Sequence, residues 1–381
     1  MLVKSKSPTL HVVGLPHTAT NGDFGCCAYT GKVLRFCDMM GSGERNGRRW
    51  KVIHYGNEGS AVRCEHVQVF TEADRQQAFG GESWFQRGEY YAGPWGGAGW
   101  AWFNAEAVRL VRERAKPGDF LCLIGGLAQR SIADELPQLT PIEYGIGYEG
   151  VFSTRRAFES YAWMHHVYGL TQQKDGSAFD AVIPNYYDPA EFPLNAGRRD
   201  SYLLFMSRMT HRKGYGVALD IARRTGRKLV IAGIGGDVLT DPLVEHVGYA
   251  DAKRRAELMG NAHALLVPTQ YIEPFGGVAV EAMLCGTPAI TSDFGAFTET
   301  VEHGVSGYRC RTMSQYVAAV DAAVELTPSA VRAHAVARYS LDRVGRMFDE
   351  WLRMLGTLHG DGFYSSDKPD LGWLAERSGN S

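Results

Sequence analysis

A chain of 381 residues is longer than one ordinary hydrophobic core supports, so two domains are expected. With 45% hydrophobic, 11% aromatic and 22% charged residues, the composition is that of a globular protein and excludes a disordered one. Forty basic against forty-two acidic side chains leave a formal net charge of −2, which excludes a global pull onto polyanions or acidic membranes.

The seven cysteines, Cys26, Cys27, Cys37, Cys64, Cys122, Cys285 and Cys310, are scattered and form no Cys-x-x-Cys pair, which argues against a disulfide framework or a zinc site. No signal peptide is evident at the N-terminus, and no uncharged run approaches the ~20 residues of a spanning helix. A soluble, cytoplasmic protein is expected.

Short apolar runs alternate with amphipathic stretches along the chain, the pattern of βαβ units and parallel sheets. Strands are predicted at 10–15, 50–55, 66–70, 119–124, 141–144 and 181–184, then at 201–206, 228–232, 243–247, 264–268, 288–291 and 307–309. The stretch 185–199, with two prolines and a polar end, reads as the connection between two halves. The domain reading is therefore 1–187, a linker at 188–199, a second domain at 200–340, and a helix with tail at 341–381. From 328 almost to 355 the chain reads as helix, with Val344, Met347, Phe348, Trp351, Leu352 and Leu355 at spacings of three and four. Such a helix, appended to a finished α/β domain, needs another surface to cover.

The most informative segment is 267–288, a strand, a Pro/Gly loop and a helix. The amides of Phe275, Gly276 and Gly277 at its helix start suit phosphate oxygens, and glycine lets a ligand approach. Glu273 and Glu281 bracket the loop, one placed for a sugar and the other for ribose hydroxyls; the plainer alternative makes them a cap and a surface residue. Arg208 and Lys213 follow the first strand of this half, where open α/β sheets hold ligands, and they would neutralise a diphosphate. Alone, that cluster also reads as a solvated basic loop.

The ordered set Arg208-x4-Lys213-Gly214, Glu273-Pro-Phe-Gly-x4-Glu281-Ala-Met-x-Cys-Gly-Thr-Pro288, Ser292-Asp-x-Gly295, Glu299, Gly304 and Gly307-Tyr308 resembles the donor half of glycosyltransferase family 4, over roughly residues 180–355. The resemblance implies an α/β protein of GT-B architecture, two facing Rossmann-like domains with a C-terminal helix crossing back to the first. It implies a nucleotide-sugar donor, retention at the anomeric carbon, no metal and no cofactor beyond the co-substrate. Arg208, Lys213 and Glu273 become the catalytic residues, and Phe275, Gly276, Gly277 and Glu281 bind the donor. Tyr249, in the stretch 246–249, belongs to the loop that holds the base. No Asp-x-Asp triad occurs in the chain, so basic side chains must serve the diphosphate.

The first half matches that family only in outline. Its glycine-bearing loop 14–25 would face the diphosphate through Gly22, with His17 and Asp23 as contacts to sugar or acceptor; an ordinary βα turn is the alternative. The segment 83–103 interleaves eight aromatic residues with glycines, and Trp95 and Trp100 are candidates for stacking on an acceptor, against a structural aromatic cap. Glu143, Tyr148 and Glu149, in the glycine-rich stretch 141–150, are further candidates for the acceptor pocket or parts of a structural turn.

The acceptor stays open between a glycan, a metabolite, a lipid-linked sugar, a protein and a hydroxymethylated DNA base, the last drawing on the basic run 43–51 and Arg155-Arg156. A nucleotide-sugar epimerase and a non-catalytic nucleotide-sugar binder are the readings from other classes.

Overall fold

The computed structural model describes residues 8–25, 27–41, 50–81, 93–195, 202–235 and 240–357. Two α/β lobes follow one another along the chain, each built on its own all-parallel sheet. In the first lobe β1 (Thr9–Val13), β2 (Lys51–Gly56), β3 (Glu65–Gln68), β4 (Phe120–Leu123), β5 (Thr140–Ile146), β6 (Arg156–Phe158) and β7 (Ala181–Val182) take the order β3-β2-β1-β4-β5-β6-β7. In the second, β8 (Leu203–Met206), β9 (Leu229–Ala232), β10 (Val244–Gly248), β11 (Ala264–Val267), β12 (Ala289–Ser292) and β13 (Gly307–Cys310) run β10-β9-β8-β11-β12-β13.

Burial along the strands follows from their places. Central strands such as β4 (Phe-Leu-Cys-Leu) and β8 (Leu-Leu-Phe-Met) are buried at every residue, as expected with helices on both faces. Edge strand β3 (Glu-His-Val-Gln) is wet on both ends. The strand order reverses between β1 and β4 and again between β8 and β11, and the crevices at the carboxyl ends of these pairs are where open α/β sheets take ligands. The loops after β1, β4, β8 and β11 are thus the ones to inspect.

Two features differ from the sequence reading. Strand β6 falls in no predicted strand: it is three residues long and begins with a charged one, Arg156, which is buried and paired with Asp180. The helix read across 328–355 is two helices, Pro328–Tyr339 and Leu341–Thr357, broken at Ser340 by an extended backbone (ψ 151°).

That break has a structural cause. Tyr187 donates its N–H to Tyr339 O at 2.9 Å and accepts from Leu341 N at 2.9 Å, so the incoming chain pairs with the outgoing one at Ser340. The chain then re-enters the first lobe. Val344, Met347, Phe348, Trp351, Leu352 and Leu355 join the core containing Phe36, Trp50 and Tyr144. Each such side chain, fully buried, contributes roughly 1.5–3 kcal/mol, which fixes the helix to that face. Trp50 Nε1 donates to the buried Asp349 at 2.8 Å, and Trp351 Nε1 to Phe179 O at 3.1 Å.

Candidate active site

The loops after β8 and β11 are pressed together by glycine. Gly214 has φ +81°, and a Cβ there would stand 2.1 Å from Pro268 O, so no other residue fits without moving backbone. Gln270 N donates to Arg212 O at 2.9 Å. This contact sets Lys213 beside Glu273, with Nζ to Oε2 at 2.8 Å and both side chains mostly buried. The Arg212 guanidinium lies 3.9 Å from the Tyr271 ring centroid and Lys213 Nζ 4.9 Å from it. Burial, then the Glu273 carboxylate, pushes the Tyr271 phenol far up, while the charges of Arg212 and Arg208 oppose that shift. Arg208 itself is exposed. Three cations and one carboxylate therefore share the carboxyl end of β8.

The helix Gly277–Leu284 starts on glycines with no side-chain cap. Gly276 is left-handed at φ +79°, and a Cβ on it would meet the Phe297 ring at 2.3 Å; one on Gly277 would meet Tyr187 Oη at 2.5 Å. A bare, positively poised helix start next to Lys213 and Glu273 is an anion-binding arrangement. The Phe275 ring is buried at 2% exposure and packs edge-on against Tyr339 (centroids 5.7 Å). Glu281 is paired with Arg255, a partner that the sequence reading missed, and this carboxylate is the main cause of Arg255's raised pKa. Tyr249, 44% exposed, adds to the same shift. Tyr249, Arg255 and Glu281 thus form one neighbourhood.

The first lobe meets this site directly. Ser160 Oγ donates to Pro274 O at 2.7 Å, and the Glu299 carboxylate accepts from Tyr161 N and Ala162 N, both at 2.8 Å, at the start of helix Tyr161–Leu170. Glu159 is buried and paired with Lys32. Burial raises its pKa, Lys32 opposes that, and the charge of Glu273 reinforces it, so the two carboxylates sense each other across the lobes. Lys32, Glu159 and Ser160 escaped sequence reading because two of them follow the unrecognised β6 and the third lies within an amphipathic helix.

The first-lobe candidates, Gly22 for the diphosphate and the rest for the acceptor, divide. Gly22 and Asp23 are exposed in the 3-10 turn Gly22–Phe24, which Asn21 caps through its side chain. Trp95 is 49% exposed, and its Nε1 donates to Gly125 O at 3.1 Å, at the carboxyl end of β4. Trp100 is 1% exposed and lies under Trp95 (centroids 4.5 Å), so it supports that ring and presents no face of its own. His17 is 2% exposed among Phe79, Trp95 and Trp100, and burial, helped by Arg75, lowers its pKa to about 3: it is a neutral packing residue.

Glu143 is fully buried and accepts from Phe152 N (2.8 Å), Ser153 N (2.7 Å) and Tyr148 Oη (3.2 Å). It therefore holds the turn and lines no acceptor pocket, and Tyr148 is tied to it. Glu149 is exposed and 3.5 Å from His166. Arg156 is 6% exposed and clamped by Asp180, which removes it from any nucleic-acid face. Residues 43–49 of the basic run and 83–92 of the aromatic segment lie outside the described residues.

Two lobes with facing ligand crevices and a C-terminal helix returned to the first define the GT-B class of fold. AviGT4, a glycosyltransferase involved in avilamycin A biosynthesis, matches with a TM-score of 0.62 at 20% identity, over 92% of this chain and 98% of its own. Sucrose-phosphate synthase from Thermosynechococcus elongatus matches at TM-score 0.63 and 16% identity, over 92% and 100%. HepE of Anabaena, solved with UDP and glucose, matches at 0.61 and 15%, over 91% and 100%.

In sequence, residues 189–338 match the family model described as glycosyl transferases group 1. Glycogen synthase of Mycobacterium tuberculosis is 36% identical over 186 residues, 44% of this chain and 45% of that protein. The phosphatidyl-myo-inositol mannosyltransferase of the same organism is 34% identical over 156 residues, 36% and 41% of the two chains. These matches span under half the length of the curated relatives. Among the described residues, no helix is long and apolar enough to cross a membrane.

Proposed function

We propose that the protein is a retaining, metal-independent glycosyltransferase that moves a sugar from a nucleoside diphosphate sugar to a hydroxyl acceptor. One observation carries this reading: the loops after β8 and β11 gather Arg208, Lys213, Glu273 and an uncapped glycine helix start at the crevice where the strand order reverses. Arg208, Lys213 and the amides of residues 275–277 take up the charge that grows on the departing diphosphate, and they are worth most at that moment. Glu273, fixed by Lys213, accepts from hydroxyls of the transferred sugar. Glu281 accepts from the ribose, and Tyr249 lies toward the base.

Attack occurs on the face that the leaving group departs from. The anomeric carbon's bond to the diphosphate oxygen breaks, its bond to the acceptor oxygen forms, and the acceptor proton passes to the diphosphate. No cofactor is needed beyond the co-substrate, because side chains and amides supply the positive charge. That HepE was solved with UDP and glucose supports a nucleotide-sugar donor.

The test is release of nucleoside diphosphate from a panel of UDP-, GDP- and ADP-sugars, with and without EDTA, as acceptors are added. The panel includes glycans and DNA carrying hydroxymethylcytosine. The reading predicts acceptor-stimulated release from one donor that survives EDTA. Epimerisation of a donor in the absence of acceptor, or donor binding with no turnover, would replace it with one of the two non-transferase readings.

A further inference from the structure

Tyr271, two residues before Glu273 in the loop after β11, is half-buried beside three charged groups. The Arg212 guanidinium stands 3.9 Å from its ring centroid and Lys213 Nζ 4.9 Å from it. These two cations are successive residues of the 3-10 turn His211–Lys213, where neighbouring side chains diverge by about 120°. They meet on one ring because the two loops are joined through their backbones: Gln270 N, one residue before the tyrosine, donates to Arg212 O at 2.9 Å. An aromatic ring within about 6 Å of a cation attracts it through its quadrupole, more strongly as water is removed.

The cations at this end of β8 are not equivalent. Lys213 Nζ is 2.8 Å from Glu273 Oε2, so most of its charge is met within the protein. Arg212 is exposed and is paired with no carboxylate among the described residues. Arg208 and Lys213 against Glu273 leave a single net positive charge. A sugar diphosphate bears a negative charge on each phosphate, and a further one appears as the sugar leaves. Arg212 makes up the difference: a planar guanidinium laid on a ring keeps its N–H edge for phosphate oxygens.

Resting on the transferase reading, we infer that Arg212 is a third phosphate-binding cation and that Tyr271 is its positioning residue, the ring seating Arg212 and Lys213 together against the phosphate that bears the sugar. The ring does this, and the hydroxyl does not. The phenol faces the Glu273 carboxylate, and burial, then that carboxylate's charge, push its pKa far up, so it stays protonated and neutral. A phenylalanine therefore serves the cations as tyrosine does, and an aliphatic residue cannot.

Titration calorimetry of the intact protein with UDP, GDP and ADP, and with UMP, GMP and AMP, tests this without requiring turnover. Only the diphosphates present the phosphate in question, so the measure is the ratio of diphosphate to monophosphate affinity. For the base that binds, Tyr271→Leu should lower that ratio about tenfold and Arg212→Gln, at an exposed position, about fivefold, while Tyr271→Phe keeps it within about threefold and monophosphate affinity stays within about twofold throughout. A ratio unchanged in Tyr271→Leu or in Arg212→Gln overturns the inference. So does Tyr271→Phe behaving as Tyr271→Leu, a monophosphate loss as large as the diphosphate loss, which marks a packing role, or no preference for diphosphate in the unsubstituted protein. Failure of the transferase reading shows separately, as a Tyr271-dependent preference with no nucleoside diphosphate released from any sugar donor.

Discussion

The two lobes share one strand order, with a seventh strand added to the first, and carry their polar groups differently. In the second, the chemical groups lie on short loops at fixed spacing after β8 and β11, and tight glycine contacts dictate their geometry: 2.1 Å from a hypothetical Cβ at Gly214 to Pro268 O, and 2.3 Å from one at Gly276 to Phe297. In the first, the equivalent edge is a packed aromatic and histidine cluster beside a cavity, and its polar groups come from three distant segments. On the proposed function, backbone and point charges hold the diphosphate, which is common to every donor, and side chains assemble the site for an acceptor that varies.

The sharpest way to break this division is to remove one charge from the second lobe. Arg208→Ala is expected to lower kcat by about 10²–10³, the range for loss of one preorganised charge-stabilising donor. Steady-state release of nucleoside diphosphate checks it; a change in acceptor KM alone would move Arg208's role to the other lobe.

Acid should act first on the first lobe. His17 and His54 are buried neutral with pKa lowered to about 3, by burial in both cases. Between pH 6.5 and 3 the unfolded chain binds protons that the folded chain refuses, so stability falls as pH falls, by up to about 1.4 kcal/mol per pH unit for each imidazole. Glu143, raised to about 7 by burial, acts in the opposite sense between pH 7 and 4.5, and offsets one of the two. His334, lowered to about 4, is the corresponding group of the second lobe. At pH 4 these terms nearly balance, and only between pH 4 and 3, where His334 has already titrated, do His17 and His54 still lose stability, so hydrogen exchange at pH 3 should show the first sheet opening before the second.

Smaller effects sharpen the comparison. Gly276→Ala forces a Cβ into the Phe297 ring at a left-handed φ and should cost about 1–3 kcal/mol, read from the denaturant midpoint. Glu299→Gln weakens the cap that the second lobe places on helix Tyr161–Leu170 and should cost about 1 kcal/mol. A loss of that size with unchanged donor affinity would mark Glu299 as a strut between lobes.

Much of this architecture was legible in the sequence, because most of the parallel strands are buried on both faces and read as apolar runs; twelve of the thirteen strands were placed, the exposed edges β3 and β10 among them. Strand β6 was not, since a buried Arg156 resembles a surface residue until Asp180 is found beside it. The break at Ser340 carried a local signal that was overlooked, a serine whose Oγ accepts from Arg343 N at 3.3 Å at the start of the second helix with Asp342 in its first turn, while the pairing with Tyr187 across 153 positions of chain was not legible. At the loops after β8 and β11, the strand–loop–helix pattern together with the family resemblance brought Arg208, Lys213, Glu273 and Glu281 forward, but not Arg255, an ordinary helix residue by pattern. The acceptor side was read least well. Glu143 and Trp100 carry the right chemistry, and only burial tells that they hold the lobe together.

The most direct measurement is hydrogen exchange of the intact protein with and without UDP, GDP and ADP. One of these nucleotides is expected to slow exchange in the segments 208–214 and 273–281, and Arg208→Ala to abolish the effect. Protection confined to the first lobe, or absent with every nucleotide, would contradict the assignment of the second lobe as the donor site.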